Sequence, residues 1–156
     1  MTRVNKSAAG NGRRATITIG NVIRRSDVPD VAAWEGFADE VKTLIGPGNI
    51  LAISGELGAG KTTFIQALSK VLGIKKHTLS PTFSLMRSYR LPRTYQGIKR
   101  IIHVDAYRFA AERELVVLDL DEEMADGSSV LVVEWPEKIP NWLSRHASKT
   151  VRIHID

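Results

Sequence analysis

Cysteine is absent from all 156 residues, which excludes a disulfide framework and a thiolate metal site and makes a reduced cytoplasm the expected compartment. No apolar run approaches the roughly 18 residues that a membrane-spanning helix needs. The N-terminus also lacks the apolar core of a secretory signal, so a soluble protein without a membrane partner is expected. Internal repeats and low-complexity runs are lacking too. Acid is missing from one long stretch. Between Glu56 and Asp105 there is no Asp or Glu, while Lys61, Lys70, Lys75, Lys76, Arg87, Arg90, Arg93, Lys99 and Arg100 all fall there. The acids cluster afterwards, from Asp105 to Glu137. With a net charge of +5, this run fits a positive field for phosphate or RNA, and equally a plain solvated surface.

What is present suffices for one domain, because 43% of the residues are apolar and a chain of this length can bury a core. The first fourteen residues carry Arg3, Lys6, Arg13 and Arg14 and no acid. They read as a flexible basic tail (1–14) rather than an organelle transit segment, since strand-like alternation begins at Thr16. The domain is then 15–156. Thr16 to Ile19 alternates as a half-exposed strand does. After Ser26 and Asp27, both suited to cap a helix, Val31, Trp34, Ala38, Val41 and Ile45 follow helical spacing until Gly46, Pro47 and Gly48 stop it. Ile50 to Ile53 is a short apolar run, the pattern of a strand buried on both faces of a parallel sheet. A second helix runs from Lys61 to Gly73, with Phe64, Ile65, Leu68, Val71 and Leu72 on its buried face.

Further strands are predicted at Phe83–Tyr89, Arg100–Val104, Val130–Val133 and Thr150–Ile155, with helical turns near Glu112–Leu118 and Asp121–Ala125. Leu91 to Gly97 reads as the connection of an antiparallel hairpin. The fold class is α/β, a three-layer sandwich around a mixed, mainly parallel sheet.

Gly55-Glu56-Leu57-Gly58-Ala59-Gly60-Lys61-Thr62 matches G-x-x-x-x-G-K-[ST] in full, between a predicted strand and a predicted helix as the P-loop motif requires. Glycines at 55, 58 and 60 let successive N–H groups turn inward as a nest for phosphate oxygens, and the helix start adds the positive end of its dipole. Lys61 can reach the β and γ phosphates of ATP, and the Thr62 hydroxyl can ligate Mg2+. Magnesium then needs an acid at the end of a neighbouring buried strand. Asp105 follows Ile101, Ile102 and Val104, and Glu134 follows Val130 to Val133. Either could hold the metal while the other orients or deprotonates the attacking water, and the sequence leaves the assignment open. Ser80-Pro81-Thr82-Phe83 lies where a hydroxyl that senses the γ-phosphate is often placed.

Four segments in this order resemble the bacterial TsaE (YjeE) ATPases of tRNA threonylcarbamoyladenosine synthesis: Gly55 to Thr63 (GELGAGKTT), Ser80 to Phe83 (SPTF), His103 to Arg108 (HVDAYR) and Val133 to Lys138 (VEWPEK). The resemblance implies a P-loop fold and a Mg-dependent ATPase that works with TsaD and TsaB, with tRNA met indirectly or at the surface of the complex. By position it implies nucleotide contacts from the loop through Thr63, metal contacts from Thr62 and Glu134 assisted by Asp105, a switch role for Thr82, and Trp135 beside the nucleotide. Two departures stand out. The family usually continues past the strand matching Val151 to Ile155, and it tends to have glycine where this sequence has Asp119. The rival readings are a nucleoside or small-molecule kinase, in which Asp105 and Arg108 would grip an acceptor, and a non-catalytic nucleotide-dependent binding module. A GTPase fits less well, because no Asn-Lys-x-Asp guanine reader occurs.

Overall fold

Three short runs rich in Val, Ile and Leu, Ile50–Ile53, Ile101–Val104 and Val130–Val133, lie side by side in the sheet and bury both faces, which is why they read as largely apolar stretches rather than alternating ones. The computed structural model describes residues 12–75 and 84–156. Along the chain its elements are β1 (Arg13–Ile19), β2 (Val22–Val28), α1 (Val31–Leu44), β3 (Ile50–Gly55), α2 (Lys61–Val71), β4 (Met86–Tyr95), β5 (Ile98–Asp105), α3 (Leu120–Glu123), β6 (Ser129–Glu134), α4 (Pro140–Arg145) and β7 (Thr150–Ile155). The seven strands form one sheet in the order β2-β1-β7-β3-β6-β5-β4. β7, β3, β6 and β5 run parallel at its centre, and antiparallel strands flank them on both sides.

Alternate residues of the central strands feed two cores. Leu51, Ile53, Val130 and Val132 point to the side of α1 and α2, where Trp34, Phe37 and Phe64 meet with ring centroids 5.3 to 6.1 Å apart. Ile50, Ala52, Leu131 and Val133 point to the other side, against Phe109, Leu115, Leu120 and Trp142. Helix, sheet and short helical turns thus make the three layers expected of the sequence. Among the described residues no helix is long and apolar enough to cross a membrane.

Several local expectations are corrected. The cap of α1 is Asp30, whose side chain accepts from the Ala33 N–H at 2.8 Å. Ser26 and Asp27 lie instead in β2, an edge strand too exposed to show a two-residue apolar rhythm. β1 starts at Arg13, two residues inside the segment read as a tail; residues 1–11 lie outside the described residues. β4 and β5 do form an antiparallel hairpin, but β4 runs on to Tyr95 and the turn is Gln96-Gly97, both at positive φ. Pro92 is tolerated within β4 because that strand is an edge and its pairing shifts register between Arg90 and Tyr95. α4 begins at Pro140 and passed unread because it spans only six residues.

Asp119 adopts φ 46° and ψ 52° between the 3-10 turn Glu112–Leu118 and α3. This is the left-handed region, in which glycine is relaxed and a β-branched side chain is strained. Asp119→Val is therefore expected to lower stability in urea unfolding by about 1–2 kcal/mol, whereas Asp119→Gly should not lower it. Equal losses in both variants would place the cost in the carboxylate rather than the backbone.

Candidate phosphate-binding site

The three loop glycines are each required for a different reason. Gly55 ends β3 at φ 150°, and a Cβ there would come within 2.5 Å of the Ile155 carbonyl oxygen and 3.2 Å of the Ala59 Cβ. Gly58 has open space around it, so its φ of 79° alone demands glycine. At Gly60, with φ 111°, a Cβ would meet Arg13 Nη1 at 2.6 Å and Trp34 Cζ2 at 3.0 Å. Gly60 is also the residue before α2 and has no side chain to cap it. The first N–H groups of an eleven-residue helix are thereby left to a ligand, at its positive end.

Lys61 is buried, with a relative exposure of 5%. Its Nζ donates to the carbonyls of Gly55 at 2.6 Å and Glu56 at 2.7 Å, and lies 4.1 Å from the centre of the Trp135 ring. Burial pulls the ammonium below the ordinary lysine value of 10.5, while the charges of Glu134, Glu137 and Asp105 push the other way.

The two acids stand where the parallel register puts them, Asp105 at the end of β5 opposite Glu134 at the end of β6. Glu134 is almost fully buried, and its Oε2 lies 2.8 Å from His103 Nε2. Asp105 Oδ1 accepts the Tyr107 N–H at 3.0 Å. Trp135, which follows Glu134, is left-handed at φ 59°, donates its N–H to the Ile53 carbonyl at 3.2 Å and packs on Tyr107 with ring centroids 5.0 Å apart.

A cleft of about 380 Å3 collects Leu57, Gly58, Gly60, Lys61, Thr62 and Thr63 on one wall and Asp105, Glu134 and Trp135 on the other. Gly55, Glu56 and Ala59 shape the loop without lining this cleft. Thr82 and the rest of Ser80–Phe83 lie outside the described residues.

Sequence reasoning missed three residues here. His103 shares a strand face with Ile101 and Asp105, so the two-residue period of β5 already aimed it at the acids. Tyr107 lines the cleft just after Asp105. Arg13 also lines it, and nothing local in the sequence announces that, because the pairing of β1 with β7 brings it there.

The donor set suits a hard cation. Among the described residues no three His, Asp or Glu side chains gather as a metal cage. A threonine hydroxyl and two carboxylates beside a phosphate nest instead match magnesium, which keeps waters and ligand phosphates in its shell.

Fold and loop together define an α/β protein of the P-loop class. The family model described as threonylcarbamoyl adenosine biosynthesis protein TsaE matches residues 28–156, and the chain belongs to the TsaE family. Among proteins named tRNA threonylcarbamoyladenosine biosynthesis protein TsaE, that of Bacillus subtilis is 36% identical over 105 residues, covering 67% of this chain and 61% of its own length. The Streptomyces coelicolor protein is 43% identical over 95 residues (60% and 61%). The Treponema pallidum protein is 32% identical over 117 residues (75% and 79%). The chain thus spans about three fifths of the length of the first two relatives. The crystal structure of Bacillus subtilis YdiB shares the fold, with a TM-score of 0.51 and 24% identity over 82% of this chain and 68% of that one.

The depressed lysine gives a pH test. A deprotonated amine no longer attracts phosphate, so calorimetric affinity for inorganic tripolyphosphate should fall as pH rises, starting below 10.5. An affinity that stays flat through that range would remove the ammonium from the binding site.

Proposed function

We propose that this chain binds ATP with magnesium and hydrolyses it, slowly alone and productively in a complex with TsaD and TsaB, in the formation of threonylcarbamoyladenosine on tRNA. One observation carries the reading: three stretches far apart in the chain, Lys61-Thr62, Asp105 and Glu134, line a single cleft at the start of α2. Membership of the TsaE family supplies the pathway.

The roles follow from chemistry. Backbone N–H groups of the loop and the first turn of α2 bind phosphate oxygens. Lys61 is a mobile point charge, already held at the loop by two carbonyls and the face of Trp135, and suited to the β and γ phosphates. Magnesium, when bound, neutralises the charge that develops between those phosphates. Thr62 with Asp105 or Glu134 would hold it. The remaining acid orients the attacking water or takes its proton. His103 fixes one oxygen of Glu134, and the Tyr107 N–H fixes one oxygen of Asp105, so neither carboxylate has to be ordered anew when the ligand arrives.

Phosphate release by the purified chain, alone and with TsaD and TsaB, tests this. Glu134→Ala should reduce turnover in the complex about 100-fold or more, and Lys61→Ala should remove nucleotide binding measured by calorimetry. Turnover of Glu134→Ala at the parental rate would sink the assigned role. Free phosphate released without any acceptor separates hydrolysis from a kinase reaction.

A further inference from the structure

We propose that Arg13 is a nucleotide-binding residue, a fixed cation that touches the polyphosphate chain of the ligand held by the Gly55–Thr62 loop. The proposal rests on the nucleotide reading above and adds a residue that neither the motif nor the family supplies, since Arg13 precedes the matched segment 28–156.

Two strand pairings deliver it. β7 lies beside β3 with Ile155 opposite Gly55, and the Ile155 carbonyl stands where a Gly55 side chain would have to go. β1 lies on the far side of β7 with Ala15 opposite Ile155, and the pairing is extended by the Asp156 N–H donating to the Arg14 carbonyl at 2.9 Å. The first residue of β1 therefore reaches the rim of the loop. There the Arg13 side chain occupies the room that Gly60 leaves, with Nη1 2.6 Å and Cδ 3.6 Å from the point a Cβ would take. Gly60 thus serves the loop conformation and the approach of Arg13 at once.

The guanidinium lines the cleft that also holds Lys61, Thr62 and Glu134. Arg14, next in sequence, pairs with Asp27. For Arg13, among the described residues, no carboxylate lies within ion-pair distance. A permanently charged group with five N–H donors therefore stands beside the Gly55–Thr62 loop with no described carboxylate in ion-pair contact, although Asp105, Glu134, Glu56 and Asp156 line the two clefts that it borders. Its geometry suits paired phosphate oxygens, and its charge opposes the buried Glu134 that an anionic ligand must otherwise approach.

Calorimetry on the full chain, with inorganic tripolyphosphate and with Mg-ATP as probes, tests the assignment. Arg13→Ala should weaken both about tenfold, the size of one charge-assisted hydrogen bond. Arg13→Lys should recover part of the loss, because charge is kept and the planar fork is not. Thermal unfolding midpoints should match the parent, since the residue is exposed; if the alanine variant unfolds, Arg13→Gln takes its place. Parental affinity of Arg13→Ala for both probes, with binding lost in Lys61→Ala, overturns the role of Arg13 and leaves the nucleotide site standing. Weaker binding of ATP alone also overturns it, because the contact would then be to the nucleoside. Parental affinity in Lys61→Ala would instead bring down the nucleotide reading itself, and Arg13 with it.

Discussion

Parallel pairing of β3, β6 and β5 is the constraint on which the rest depends. In parallel strands all carboxyl ends lie on one edge of the sheet, and that edge is where open α/β folds place their ligands. The register sets Ile53 beside Glu134 and Glu134 beside Asp105. The loop that leaves β3 and the acids that end β5 and β6 therefore face one cleft with no further adjustment. Both faces of these strands are buried, so a one-residue slip would move every side chain to the wrong core and the acids with them.

The same burial makes the site electrostatically tense. Lys61, Glu134 and His103 are all within the set of buried polar residues, and an isolated charge there would cost several kcal/mol, roughly, on transfer from water. The two charges are partnered, the ammonium by two carbonyls and a ring face and the carboxylate by the Nε2 of an imidazole, whose buried Nδ1 has no hydrogen-bond partner among the described residues. Carbonyl oxygens are weak partners for an ammonium compared with phosphate. The direction of the Lys61 shift says that desolvation outweighs the neighbouring carboxylates, so an incoming anion stabilises this lysine rather than competing with a strong native pair.

Legibility from the sequence followed the range of the interactions. The loop, its helix and the apolar strands are local patterns, and they could be read because glycine spacing and hydrophobic period are written in consecutive residues. Asp105 and Glu134 were legible as acids ending buried strands, and the parallel register then placed them together. His103 was readable in principle from the alternation of β5. β2 and α4 were not, because one is an exposed edge strand and the other is shorter than two helical turns. The N-cap was misplaced because Ser26, Asp27 and Asp30 are all competent caps, and only the pairing of β2 with β1 removes the first two. Arg13 depends on two strand pairings about 100 or more residues distant in sequence, which no local pattern encodes.

Trp135 shows how the backbone completes the cleft. A bulky residue at φ 59° carries strain of order 1–3 kcal/mol, and three features hold it there. Pro136 opens the following turn and disfavours the right-handed helical region for the residue before it. The Trp135 N–H is taken by the Ile53 carbonyl, which extends the pairing of β3 and β6 one residue beyond the sheet. Its ring is clamped between Tyr107 and the Lys61 ammonium. The turn after β6 is thereby fastened to the strand that feeds the phosphate loop and to the lysine that serves it. Lys61, Trp135 and Ile53 thus share one contiguous set of contacts between the loop lysine and β3.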